Sequence, residues 1–286
     1  LAQDHKRRLM KVSVLSMFRD SEDYLPETLK NLDALQDQSS CDIEYFFYEN
    51  DSIDQTVPLL KEWLSNKKGD LLSETLLKPK FSQSSAVERQ IDMTHYRNQL
   101  LSVARPLDSQ YSIILDSDVR FDSDIINKYL SMFRDDALSS VVMITPNVLQ
   151  NINCKMFDPS RKSYYDSFAL IDRLGNHGMI WSCNPFFNDE DRERWENNQV
   201  VYVSSAFGGC PIIKSDVLNQ VQWSTDGGCE HWNFCRDVRV HGDIVVAPDV
   251  EVSVEIDQAI INSIGESHMN SVVAQQRQTF ELLKNF

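Results

Sequence analysis

Tyr111-Ser-Ile-Ile-Leu-Asp-Ser-Asp-Val-Arg-Phe121 decides the reading of this chain. It opens as an apolar, β-branched run and closes on two carboxylates one residue apart, Asp116 and Asp118. An unbroken apolar run of this length reads as a strand buried on both faces, the signature of a parallel sheet. Acidic residues at its C-terminal end fall on the edge where open α/β sheets bind ligands. Two carboxylates so placed repel one another unless a cation lies between them, and a divalent ion with oxygen ligands meets that need. The stretch therefore suggests a metal-bridged phosphate site. The plainer alternative is that Asp116-Ser117-Asp118 only turns the chain, with Asp122 or Asp124 capping the next helix.

Working outward, strand and helix alternate. Val12 to Met17 is a short apolar strand, and a helix follows from about Leu25 to Leu35, with Pro26 in its first turn. Ile43 to Tyr48 is a second strand, ending in the polar run Glu49 to Thr56 before a helix to about Leu64. Leu71 to Leu77 suits a third strand and Pro79 to Ser85 a loop. A helix over Glu88 to Ala104 stops at Arg105-Pro106. After the opening strand come a helix over 125–133 and the strand Val141 to Thr145, ending at Pro146. This is the pattern of βαβ units building a parallel sheet. Neither Gly-x-Gly-x-x-Gly nor a Walker loop is present, which disfavours a dinucleotide or P-loop site.

Beyond residue 146 periodicity fades. Residues 151–200 are rich in aromatics and suit an irregular functional region. Val200 to Val203 leads as a strand to Phe207-Gly208-Gly209-Cys210, whose glycines permit close backbone approach. Residues 230–240 read as a helix, 244–247 and 250–254 as strands around Pro248, and 271–286 as an amphipathic helix offering Val272, Val273, Phe280 and Leu283. We expect one domain with two halves, 12–146 and 147–255, and a helical tail over 256–286.

Composition bounds the function. The 286 residues carry 28 Lys and Arg against 43 Asp and Glu, a net charge of −15. That balance weighs against nucleic-acid binding and requires any anionic ligand to be held by local groups. No apolar run approaches the roughly 18 residues of a membrane span, and no signal peptide is visible. The first eight residues are polar and basic, so Met10 is either a natural start or interior to a longer protein. Six scattered cysteines without a Cys-x-x-Cys pair read as free thiols in a reducing, cytoplasmic setting, the host cytoplasm if the chain is viral.

Four local patterns then resemble the GT-A glycosyltransferases, nucleotide-sugar enzymes with a Rossmann-like sheet and an Asp-x-Asp metal motif. They are Val14 to Asp20 with Tyr24-Leu25, Tyr48 to Thr56, His95-Tyr96-Arg97-Asn98, and Leu115-Asp116-Ser117-Asp118. The first half resembles family 2-type transferases. Tyr164 to Leu170, Phe207-Gly208-Gly209 and Cys229-Glu230-His231 are similar to capsule-associated mannosyltransferases of fungi, and to sugar transferases of bacteria and large viruses. Ile171-Asp172 departs from that family's Arg-Asp.

The resemblance implies an α/β fold of GT-A type: a mostly parallel sheet flanked by helices, with an irregular acceptor-side half. It implies transfer of a hexose or xylose from a nucleoside-diphosphate sugar, UDP-linked in our reading, to a glycan acceptor with Mn²⁺ or Mg²⁺. Asp118, Asp116 and a late His241 are the expected metal ligands, with His231 a further candidate. Arg19, Glu49, Asp51, Arg89, Arg97 and Asp116 are expected on the nucleotide, Glu230 as the base of an inverting reaction, and Asp166, Gly208, Gly209 and His231 near donor or acceptor sugar. Asp172 is a further candidate for sugar hydroxyls, and Trp181 and Trp232 for stacking. Alternatives are a retaining GDP-mannose-dependent transferase, a nucleotidyltransferase, disfavoured because Ser16 to Asp20 lacks glycine, and a non-catalytic carbohydrate-binding module.

Overall fold

The computed structural model describes residues 9–80, 86–226, 228–256, 262 and 264–283. Part of the expected 79–85 loop and the ends of the tail lie outside them. The expected strand–helix alternation is realised as β1 (Met10–Phe18), α1 (Leu25–Gln38), β2 (Cys41–Asn50), α2 (Thr56–Leu64), β3 (Gly69–Glu74), α3 (Val87–Ala104) and β4 (Tyr111–Asp116). Then follow β5 (Arg120–Phe121), α4 (Ile125–Met132), β6 (Val141–Asn153), β7 (Lys162–Tyr164), β8 (Ile171–Asp172), α5 (Asp189–Glu196) and β9 (Val201–Ser205). The chain continues through β10 (Ile212–Lys214), α6 (Ser215–Leu218), α7 (Glu230–Val238), β11 (Asp243–Val254) and α8 (Glu266–Leu283).

One sheet runs through both halves in the order β3-β2-β1-β4-β10-β6-β11-β9-β8. β1 to β4, β6 and β11 all point the same way, while β9 and β10 run against them. The sheet is thus mostly parallel, as expected. β10 is a three-residue strand wedged between β4 and β6, and it returns the chain beside the Asp116 strand. The core fills both faces: Val12, Val14 and Leu15 of β1, Ile113 to Leu115 of β4 and Val141 to Ile144 of β6 are all buried.

Two expected strand ends are corrected. Proline was read as a stop, yet β6 continues through Pro146 to Asn153, and 243–254 form one strand through Pro248. The β6–β11 pairing has a register shift between Ala247 and Glu251, which accommodates residues that cannot donate to the ladder. The extension carries a second, smaller core of Ile152, Cys154, Met156, Met179, Trp181 and Cys183 under Met269, Val273 and Phe280 of α8. Trp181 belongs to this core. Val272 packs partly against it, and the side chain of Leu283 lies outside the described residues. All six cysteines are free. Among the described residues no helix is long and apolar enough to cross a membrane.

α4 is tied to the end of β4 by a buried phenol. Tyr129 Oη donates to the carbonyl of Cys210 at 2.6 Å, and the neighbouring Gly209 carbonyl accepts the Asp116 amide at 2.7 Å. Tyr129→Phe should lower stability by about 1–3 kcal/mol, read from the urea midpoint, because the Cys210 carbonyl loses its donor in a dry setting. An unchanged midpoint would remove this tether from the account.

Candidate active site

Parallel register brings the chemistry to one edge. Met17 pairs with Asp116 and Phe18 with Glu49, so the ends of β1, β2 and β4 form one line. Above it lies a cleft of about 560 Å³ lined by Arg19, Arg89, Arg97, Asp116, Asp118 and Glu230, among others. That volume is ordinary for a small-molecule site.

Gly208 and Gly209 bring the backbone against Asp116. Both have positive φ (69° and 66°), and a Cβ on Gly209 would lie 2.6 Å from Val119 Cγ2 and 3.3 Å from Asp116 Oδ2. Their close approach is therefore to neighbouring protein. The turn after β4 is fastened on its far side, where β5 pairs with Val252 and Ser253 of β11. Burial pushes the Asp116 carboxyl up to about 6 against the opposing pull of Arg97, with Asp118 adding to the rise. Burial also raises Asp118, and it lifts Asp166 to about 7 although the Gly208 amide donates to Asp166 Oδ2 at 2.7 Å. Three carboxyls here are thus held above their ordinary range, chiefly because burial disfavours their charged form.

Arg97 joins the two halves. Its Nη2 lies 3.3 Å from Asp116 Oδ1 and its Nε 3.5 Å from Glu230 Oε1, with the side chain only 4% exposed. The guanidinium sits 4.8 Å from the Phe207 ring and 5.7 Å from that of Trp223. Burial pushes the Glu230 carboxyl up, while the charges of Arg97 and Arg89 pull it down, and the net shift is downward. The Trp223 indole N–H points to His231 Nδ1 at 3.5 Å, and burial drives His231 down to about 3, so it stays neutral. Asn98 pins the Trp223 backbone from both sides, donating to its carbonyl at 2.9 Å and accepting its amide at 3.0 Å.

The remaining expected residues divide. Arg19 lines the cleft and donates to the carbonyls of Lys78 and Pro79. Arg89 also lines the cleft, and its charge pulls on Asp118 and Glu230. Glu49 and Asp51 serve the wall instead. Glu49 accepts from the Ser52 amide and Ser73 hydroxyl, and Asp51 from the amides of Leu76, Leu77 and Lys78. Asn50, between them, faces the cleft.

His241 does not join the carboxylates. It precedes β11, whose first residue pairs with Val141 at the start of β6, so it lies at the opposite edge of the sheet from Asp116. His231, wedged between Phe207 and Trp223 with Nε2 3.4 Å from Arg97 Nη2, faces a cation and is poorly placed as a metal ligand. Asp172 is buried, accepting from the amides of Leu174 and Asn176, and is a loop brace. Sequence reasoning missed Gln90, Tyr165, Phe168 and Phe207 on the cleft wall. Gln90, buried at 2% on the inner stripe of a helix, was the one with a visible signal: a polar residue at helical spacing with Arg97.

Among the described residues no group of three or more His, Cys, Asp or Glu converges on one point. Two carboxylates are nonetheless enough for an ion of the Mg²⁺ type, which keeps water and takes substrate phosphates as its other ligands. The raised carboxyls of Asp116 and Asp118 fit such an ion.

No protein-family model matches the sequence, and no curated protein does. Solved structures do. GalNAc-T7 with UDP, GalNAc and Mn²⁺ aligns at TM-score 0.53 and 13% identity over 88% of this chain and 44% of that one. A mannosyltransferase, PcManGT from Pyrobaculum calidifontis, with GDP-Man and Mn²⁺ aligns at 0.52 and 13% over 88% and 59%. S. aureus TarS residues 1–349 align at 0.49 and 17% over 86% and 60%. The chain therefore spans about half the length of these proteins, and it shares the GT-A fold with the first two.

Removing Arg97 should be costly, because it leaves the buried Glu230 carboxylate without its cation. We expect Arg97→Met to lose roughly 3–5 kcal/mol in urea unfolding at neutral pH. A loss under about 1 kcal/mol would mean that the ion pairs do not hold the two halves together.

Proposed function

We propose that this chain is a glycosyltransferase, moving a sugar from a nucleoside-diphosphate sugar, UDP-linked, to a carbohydrate acceptor with inversion at the anomeric carbon. The observation that carries it is the cleft in which paired carboxylates at a parallel-strand end face a second, buried carboxylate across one shared arginine. The acidic pair suits the diphosphate end of the donor, and Glu230 suits the acceptor end. The GT-A fold, the UDP, GalNAc and Mn²⁺ named with one of the solved structures and the GDP-Man and Mn²⁺ named with another support the glycosyltransferase reading.

Asp118 and Asp116 would hold Mn²⁺ or Mg²⁺. When bound, the ion supplies neutralising charge to the departing diphosphate. Arg89 and Arg97 add cationic charge from α3 to the same oxygens. Asp51 holds the 76–78 backbone and Arg19 that of 78–79, so together they shape the nucleoside side of the cleft. Glu230 accepts the proton of an acceptor hydroxyl as that oxygen bonds the anomeric carbon. The bond from that carbon to the diphosphate breaks, and its electron pair leaves with the phosphate. The lowered pKa of Glu230 keeps it ionised and able to take the proton at neutral pH.

UDP-sugar turnover with Mn²⁺ tests this directly. Asp118→Ala should lose at least about a hundredfold in kcat/KM, and Glu230→Gln about 10²–10⁴-fold in kcat while still binding UDP. Full activity in the Asp118 variant would overturn the metal assignment, and full activity in the Glu230 variant the base.

A further inference from the structure

Phe168 and Tyr165 are exposed aromatics that line the same cleft as Glu230, at 43% and 45% of their surface. Exposed rings at the mouth of a polar cleft are unusual enough to ask for an occupant. Behind Phe168, Trp232 packs ring against ring at 5.3 Å, and its indole N–H donates to the Phe168 carbonyl at 3.0 Å. The His177 ring lies 5.1 Å from that of Trp232. Gly228 makes room for the indole, since a Cβ there would come within 2.6 Å of Trp232 Cζ3. The segment is also pinned from its backbone: the Tyr165 amide donates to the Val148 carbonyl at 2.8 Å, and Leu170 to that of Asp166 at 3.2 Å. The aromatic lip is thus supported from behind and fixed in place.

Its chemistry narrows the occupant. The indole N–H is already used, so what the lip offers is ring face, and ring face binds the C–H side of a pyranose. Asp116, Asp118, Asp166 and Glu230 line the same cleft, together with Arg89 and Arg97. Arg97 is already shared by Asp116 and Glu230, and these four carboxylates line the cleft with these two arginines, so a further anionic group beside Glu230 would meet net negative charge.

We propose that Tyr165 and Phe168, backed by Trp232, form the acceptor subsite, and that it takes a neutral pyranose rather than a phosphorylated or acidic acceptor. This rests on the glycosyltransferase reading and adds where the acceptor sits and what class of sugar it is. Phe168 stacks on the ring, so that a hydroxyl of the same sugar is presented to Glu230.

Saturation-transfer NMR on the whole chain, with UDP and Mg²⁺ present, tests the proposal. The probes are methyl α- and β-glycosides of glucose, galactose, mannose and xylose, and glucose 6-phosphate. At least one neutral glycoside should receive saturation on the C–H protons of one ring face, and glucose 6-phosphate should not. Phe168→Leu, which keeps an apolar side chain but no ring, should weaken that glycoside on the order of tenfold, and Phe168→Tyr should retain it. Undiminished binding in Phe168→Leu, absence of saturation from every neutral glycoside, or preference for the phosphate ester each overturns the subsite. A parallel melting curve separates the two levels: if UDP with Mg²⁺ fails to raise the melting temperature of the wild type, the donor reading fails and the subsite falls with it.

Discussion

A single buried guanidinium, Arg97, shared between Asp116 of the first half and Glu230 of the second, is the contact on which the rest depends. Burying Arg97 and Glu230 beside the part-buried Asp116 is expensive, and the cost is offset because the groups meet one another and the guanidinium lies over two aromatic rings. The balance is still uneven. Asp116, Asp118 and Asp166 all sit above the ordinary carboxyl range, with burial the first cause in each. In the proposed reaction, a divalent ion bound together with phosphate oxygens would bring positive charge to this cleft.

The surrounding structure keeps those charges where they are. Gly209 lets its carbonyl take the Asp116 amide, Tyr129 holds the next carbonyl, and Asn98 ties the loop ahead of Glu230 to the helix that carries Arg97. Glu49 and Asp51, acidic residues next to a nucleotide-sized cleft, are engaged by backbone amides and hydroxyls. They shape the wall, while Asn50 and Arg19 line the cleft itself.

Much of this was legible in the sequence, and the exceptions have a common cause. An apolar run ending in acids, as at 111–118, encodes both burial and edge position, because strand and sheet polarity translate directly into location. Arg97 and Glu230 were legible through helix position and pattern resemblance. Prolines 146 and 248 misled because a bulge lets a paired strand absorb a residue without an amide hydrogen, which depends on the partner strand. β10 is three residues long and is defined by pairing partners far off in sequence, Ile212 with Ile113 and with Ile144, so local pattern cannot mark it. His241 looked equivalent to any late histidine, and only the direction of β11 puts it at the wrong edge. Tyr165 and Phe168 lie in a stretch without periodicity, where no spacing tells which side chains face a cleft.

The most direct test of the central electrostatic claim is calorimetric titration of UDP into the wild-type chain with and without Mn²⁺. Because the crowded carboxylates repel a bare diphosphate and accept a metal-bridged one, UDP should bind at least about tenfold more tightly with Mn²⁺ present, a difference of roughly 1.4 kcal/mol. Equal affinity in the absence of the metal would contradict the account.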